Sequence, residues 1–296
     1  MKVSTSLKAL KGVTPQLLAA SGDSLVAAHT GTANNFAKVY SPLSNKEKVL
    51  EFGCMTGETA NAIAKGELGN LGKPASVVGT DVPVMTDHCK SAYNTSNLSF
   101  KSISEVESNP GKMDLITTFS YIQEVENQPK TIQMFNKMLN KGGKFAFFVK
   151  TNQNAETSAM RKEFEAMKGE AKWSKMLSKT AWPVFGTQHK NNSWLSTVDH
   201  NGRGAMTEGD YIKLMEANGF KVAFTASKTV NFTLSEDFMR NYFKTVFVPA
   251  LSDMKENDKQ QFLEEFVRRV RSQRPLNSEG NYEVQVDGFD IIGEKQ

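Results

Sequence analysis

The segment VLEFGCMTGETA (Val49–Ala60) sets an acid, Glu51, near the end of an apolar run and follows it with Gly53 and Gly57. A strand that enters a glycine turn and then a helix aims backbone N–H groups and a helix N-terminus at a ligand. A second run, SVVGTD (Ser76–Asp81), ends in another acid thirty residues after Glu51. A carboxylate there can accept both hydroxyls of a ribose. Strand, glycine turn, helix, strand and acid together point to a nucleotide-type ligand, and the competing reading is a plain βαβ turn with no nucleotide. Cys54 lies inside the turn, where a helix N-terminus can lower a thiol pKa; packing is the reading preferred for it.

The elements that must position these groups follow from the hydrophobic pattern. Short β-rich runs are expected at Lys48–Phe52, Ser76–Asp81, Leu98–Ser102, Met113–Ser120 and Lys144–Val149. Helices are expected at Thr59–Lys65, Val84–Tyr93 and Thr131–Leu139, with Asn140–Gly143 as a turn. This alternation predicts an α/β fold with a parallel sheet covered on both faces. Beyond Lys150 the pattern predicts a helix over Ser158–Leu177, then one from Thr207 to Ala217 opened by a Thr207/Asp210 capping box. Strands follow at Phe220–Ser227 and Tyr282–Ile292. Between them, Thr233 and Glu236 read as the capping box of a helix Glu236–Val248, and a second helix spans Asn257–Arg271 with Phe262, Phe266 and Val270 on one face. The pair reads as an inserted cap over something apolar.

EFGCMTG resembles the first motif of the class I S-adenosylmethionine-dependent methyltransferases, and GTDVPVM (Gly79–Met85) is similar to the second. MDLITTFSYIQEVENQ (Met113–Gln128) and LNKGGKFAFF (Leu139–Phe148) resemble the fourth- and fifth-strand motifs. The tail, more loosely, is similar to the small-molecule branch typified by the insect juvenile hormone acid methyltransferases. The resemblance implies a seven-stranded, mostly parallel, doubly wound Rossmann-like sheet. It also implies S-adenosylmethionine at the strand C-termini and a helical cap over an acidic or lipidic substrate. Glu51 matches the acid near the cofactor's amino group, Gly53 and Gly57 the first and third glycines, Asp81 the ribose acid, and Met85 an apolar residue near the adenine. Cys54, Val82, Ser104 and Phe119 fall in the same cofactor-binding set, and Tyr121, Gln123 and Glu124 are the substrate-side candidates. For Tyr121, core packing is the preferred reading. Three positions depart from the family pattern. Met55 stands at the middle glycine, Ser104 where an Asp is common, and Gln123-Glu124 where the juvenile hormone branch has His-Trp.

Composition narrows the classes. The charge balance is 36 − 32 = +4, too small and evenly spread to imply a nucleic-acid or membrane partner. The basic run VRRVRSQR (Val267–Arg274) sits at a helix C-terminus, where cations suit the dipole, and reads as a solvated face. DHNGRG (Asp199–Gly204) has no strand feeding it and is a loop, not a phosphate cradle. His29, His88, His189 and His200 share no metal-ligand spacing, so no metal site is expected. Two cysteines cannot build a disulfide framework, no apolar run is long enough to span a bilayer, and the N-terminus is no convincing signal peptide. A cytoplasmic location with free thiols is therefore expected. The 19 Phe and 13 Met imply a core or pocket rich in large deformable apolar groups.

The organisation expected is an N-terminal helical lid (1–47), a Rossmann-like core (48–150), and the rest of the sheet with its cap helices (151–296). Two functions stay open. One is methyl transfer to a small apolar or carboxylate-bearing molecule, which needs alignment and water exclusion more than protein acid–base chemistry. The other is a non-catalytic protein of the same fold that binds an apolar ligand such as an isoprenoid, a carotenoid pigment or a lipid.

Overall fold

The computed structural model describes residues 15, 22–119, 121–122, 125, 127–150, 155–177, 206–237, 240, 251, 254–273 and 275–296. The expected sites Gln123 and Glu124, the DHNGRG loop, His189 and His200 lie outside them. So does most of the helix expected over Glu236–Val248.

Seven strands form one sheet: β2 (Lys48–Phe52), β4 (Ser76–Asp81), β5 (Leu98–Ser102), β6 (Met113–Phe119), β7 (Leu139–Lys150), β8 (Phe220–Ser235) and β9 (Asn281–Lys295). Their order is β5-β4-β2-β6-β7-β9-β8, parallel throughout except where β9 runs antiparallel to both β7 and β8. The chain winds outward from β2 to β5 and then returns to lay β6 on β2's other side. That reversal opens a crevice at the strand C-termini. A small parallel pair, β1 (Leu43–Ser44) with β3 (Gly72–Lys73), stands apart from the sheet.

Both sheet faces are covered. On one lie α1 (Gly22–Val39), α2 (Glu58–Lys65) and α3 (Pro83–Ala92), and Ala33, Phe36, Ile63 and Cys89 pack there with Val49, Leu115, Phe119 and Ile292. On the other lie α4 (Ile103–Ser108), α5 (Gln128–Met138) and α8 (Glu208–Ala217), meeting a phenylalanine-rich layer of Phe52, Phe145, Phe147 and Phe289. Burying each such ring contributes about 1.5–3 kcal/mol, so this layer dominates the core. A third apolar cluster joins α6 (Ala155–Gly169), α7 (Ala171–Leu177) and α9 (Glu256–Gln273) to Tyr282 of β9.

Three expectations need correcting. Thr233 stands inside a strand, not at a helix start. β8 continues to Ser235 and sets Thr233 opposite Glu283, because the alternating run VNFTLS finds a full antiparallel partner in β9. Asn140–Gly143 is not a free turn but part of β7, where the register jumps from Met113↔Leu139 to Leu115↔Lys144; Gly142 takes φ 72° in this bulge. The helix expected over Ser158–Leu177 is two, broken at Glu170 after Gly169. The Thr207/Asp210 capping box is present in full. No helix among the described residues is long and apolar enough to cross a membrane.

Candidate functional site

The turn between β2 and α2 is held from both sides. Gly53 and Cys54 donate their N–H groups to the Thr80 carbonyl at 2.8 and 3.1 Å, which ties the turn to the end of β4. Gly53 (φ 80°) and Gly57 (φ 93°) are left-handed, a conformation glycine alone adopts without cost. The space beside them is filled by this chain's own side chains. A Cβ on Gly53 would lie 2.1 Å from the Tyr121 ring, and one on Gly57 would lie 2.8 Å from Tyr93 and 3.0 Å from the Cys89 sulfur. Met55, also left-handed at φ 48°, turns its N–H onto Asp81 Oδ2 at 2.8 Å. Asp81 Oδ1 accepts the Val82 N–H at 2.7 Å.

Both acids are sealed. Asp81 is fully buried and Glu51 is 1% exposed. Burial pushes the Asp81 carboxyl up to about 7, opposed by the N–H groups of Val82 and Met55. It pushes Glu51 up to about 8, opposed by the Thr117 hydroxyl, which donates to Glu51 Oε2 at 2.8 Å. Burial also drives the Cys54 thiol well above its usual range, reinforced by Cys89, Asp81 and Glu51, so Cys54 is not an activated thiol. Cys89 donates its S–H to the Met55 carbonyl at 3.3 Å.

The remaining expected residues spread around this turn. Val82 is half-buried beside Asp81, and Met85 is buried in the first turn of α3. Ser104 is exposed in the first turn of α4, its hydroxyl 3.1 Å from that of Ser102, which caps the helix with Glu105. Phe119 is buried at the end of β6, and Tyr121 packs edge-on against Phe52, ring centroids 5.7 Å apart. Two neighbours escaped sequence reasoning. His29 of α1 stacks on Phe119 at 4.6 Å and shares a 2.8 Å hydrogen bond with Thr59; nothing in its sequence context signals this. Thr117 was findable, because the parallel register sets it opposite Glu51. Among the described residues no group of His, Cys, Asp or Glu could hold a metal ion.

The donor set fits an S-adenosylmethionine-type ligand in kind. A carboxylate offers about four lone-pair sites; among the described residues Asp81 uses two and Glu51 one. Free acceptors at the ends of adjacent parallel strands suit hydroxyl and ammonium donors. In this structure the Met55 N–H takes one acceptor site of Asp81, and the Tyr121 ring packs directly on Gly53.

A doubly wound sheet with a glycine turn at its switch point and acids on the two strands that meet there defines a nucleotide-binding class of α/β protein. The chain belongs to the methyltransferase-domain family, whose model matches residues 31–223. The YcgJ protein of Bacillus subtilis is similar in fold, with 13% identity, TM-score 0.50, and coverage of 90% of this chain and 99% of that one. So is a chain from the complex between the Haloferax volcanii Trm112 methyltransferase activator and a protein assigned there as a methyltransferase, with 13% identity, TM-score 0.51, and 99% of each chain covered. No curated protein matches the chain in sequence. These comparisons reach the class I methyltransferase superfamily and no particular branch of it.

Proposed function

We propose that the chain is an S-adenosylmethionine-dependent methyltransferase acting on a small apolar or carboxylate-bearing molecule. The observation that carries this reading is the pair Glu51 and Asp81, carboxylates at the ends of neighbouring parallel strands on either side of a glycine turn. Asp81 would take the ribose hydroxyls, Glu51 the amino group, and the Val82 backbone and Met85 side chain the adenine. When bound, the cofactor supplies a methyl group on a sulfonium that is already a good leaving group. The residues here bind, orient and exclude water. His29 of α1 stacks on Phe119 at the end of β6 and is held there by its hydrogen bond with Thr59.

Two observations favour the second reading, a non-catalytic binder of an apolar ligand. The Met55 N–H occupies an acceptor site on Asp81 that a ribose would use, and the Tyr121 ring fills the space over Gly53. Calorimetric titration with S-adenosylhomocysteine separates the two readings. Saturable binding supports the methyltransferase, and no heat at millimolar ligand supports the binder.

A further inference from the structure

The two acids at the turn are buried without a cation. Glu51 and Asp81 lie on neighbouring parallel strands, β2 and β4, the first 1% exposed and the second fully buried. Their side-chain hydrogen bonds among the described residues come from the Thr117 hydroxyl and from the Met55 and Val82 N–H groups, all uncharged donors. The Cys54 thiol of the turn feels both carboxyls, and the Cys89 thiol of α3 acts on Cys54 in turn. Glu58 of α2 is occupied by the Thr56 hydroxyl, and His29 of α1 by Thr59. Neither of these, nor His88 of α3, acts on Glu51 or Asp81, and no lysine or arginine does.

A carboxyl taken from water with no counter-ion favours its protonated form. Burial accordingly holds Asp81 up at about 7 and Glu51 at about 8, so near neutrality Glu51 keeps its proton and Asp81 is divided. A cationic ligand reverses the balance. An ammonium beside Glu51 favours the carboxylate, and hydroxyls that donate to Asp81 add hydrogen bonds to its charged form.

We infer that the ligand-free turn stores protons on Glu51 and Asp81 and releases them to solvent when a cationic nucleoside docks, so that pH controls affinity at this site. That the cation is the S-adenosylmethionine type rests on the proposed function; the stored proton belongs to the ligand-free chain. Because binding releases protons, affinity rises with pH while the acids are protonated and levels off once both have ionised.

Two measurements on the full chain test this. Infrared difference spectra of the ligand-free protein between about pH 6 and about pH 9 should show the carbonyl band of a protonated carboxylic acid fading as pH rises, since ordinary carboxyls are ionised throughout that range. Glu51→Gln should remove most of that change, and Asp81→Asn its lower-pH part. Calorimetric titration with S-adenosylhomocysteine, near about pH 7 in two buffers of different ionisation enthalpy, should show net release of about one proton. Affinity should be at least tenfold tighter at about pH 8 than at about pH 6, and Glu51→Gln should lose most of the proton release. Absence of a titrating carboxyl band overturns the inference whatever the protein binds. Binding with no proton release and no pH dependence overturns it too, and leaves the methyltransferase reading standing. A titrating band with no binding at millimolar ligand overturns the coupling together with the methyltransferase reading, so the two failures are told apart.

Discussion

Met55 is the residue at which the two functional readings divide. It occupies a left-handed conformation that costs a non-glycine residue about 1–2 kcal/mol, and its N–H closes the turn on Asp81. Met55→Gly relieves that strain but adds chain entropy to the unfolded state, and the two effects oppose each other. We expect its melting temperature to stay within a few degrees of wild type. Affinity for S-adenosylhomocysteine should rise about tenfold, or about 1.4 kcal/mol, because the turn then opens more readily. Unchanged affinity would show that the methionine is no obstacle. Glu51 gives a test by pH. Its carboxyl is raised in the folded protein from an ordinary 4.5 to about 8, so between these values the native state holds the proton more tightly than the unfolded chain. Stability is therefore lost as pH rises through that window. Glu51→Gln keeps an acceptor for Thr117 but cannot ionise. It should match wild type in melting temperature near about pH 5 and exceed it near about pH 8.5. Parallel curves for the two proteins would mean that Glu51 is already ionised across the range.

At the scale of elements, α1 is fastened by a buried ionic cluster. Asp290 of β9 is fully buried, accepts from Thr32 and Asn35 of α1 at 2.7 Å each, and pairs with Lys228 of β8 at 2.9 Å. The Lys228 ammonium also lies 4.6 Å from the centre of the Phe148 ring. Asp290→Ala would leave the lysine without its carboxylate, a change that costs about 3–5 kcal/mol when a buried pair is broken. Urea denaturation should report that loss, and hydrogen exchange should show α1 opening before β2. A loss below about 1 kcal/mol would place the pair among the weak surface type. None of this cluster was legible in the sequence. Its members are separated by up to 258 residues, and only the antiparallel return of β9 brings them together. Local signals fared better. Lys48–Phe52, Ser76–Asp81 and Leu98–Ser102 form as strands over the expected residues, because buried parallel strands read as short apolar runs between turns. Thr233 misled because a capping-box spacing is a local pattern, and the long-range β8–β9 ladder outweighed it. The positions of Glu51, Gly53, Gly57 and Asp81 around one turn were likewise legible from spacing. Their closure by Met55 and Tyr121 was not, because it depends on backbone dihedrals and on a ring arriving from the end of β6.

The described residues divide into a sheet with two packed faces and a separate apolar cluster of α6, α7 and α9. Arg269 braces that cluster by pairing with both Glu170 and Glu265, so the basic run of α9 is partly internal. The central claim, that the closed turn is a working S-adenosylmethionine site, is tested most directly by calorimetric titration of S-adenosylhomocysteine into wild type and Met55→Gly. The account predicts saturable binding to wild type and binding about tenfold tighter to the variant. No detectable binding to either protein at millimolar ligand would contradict it.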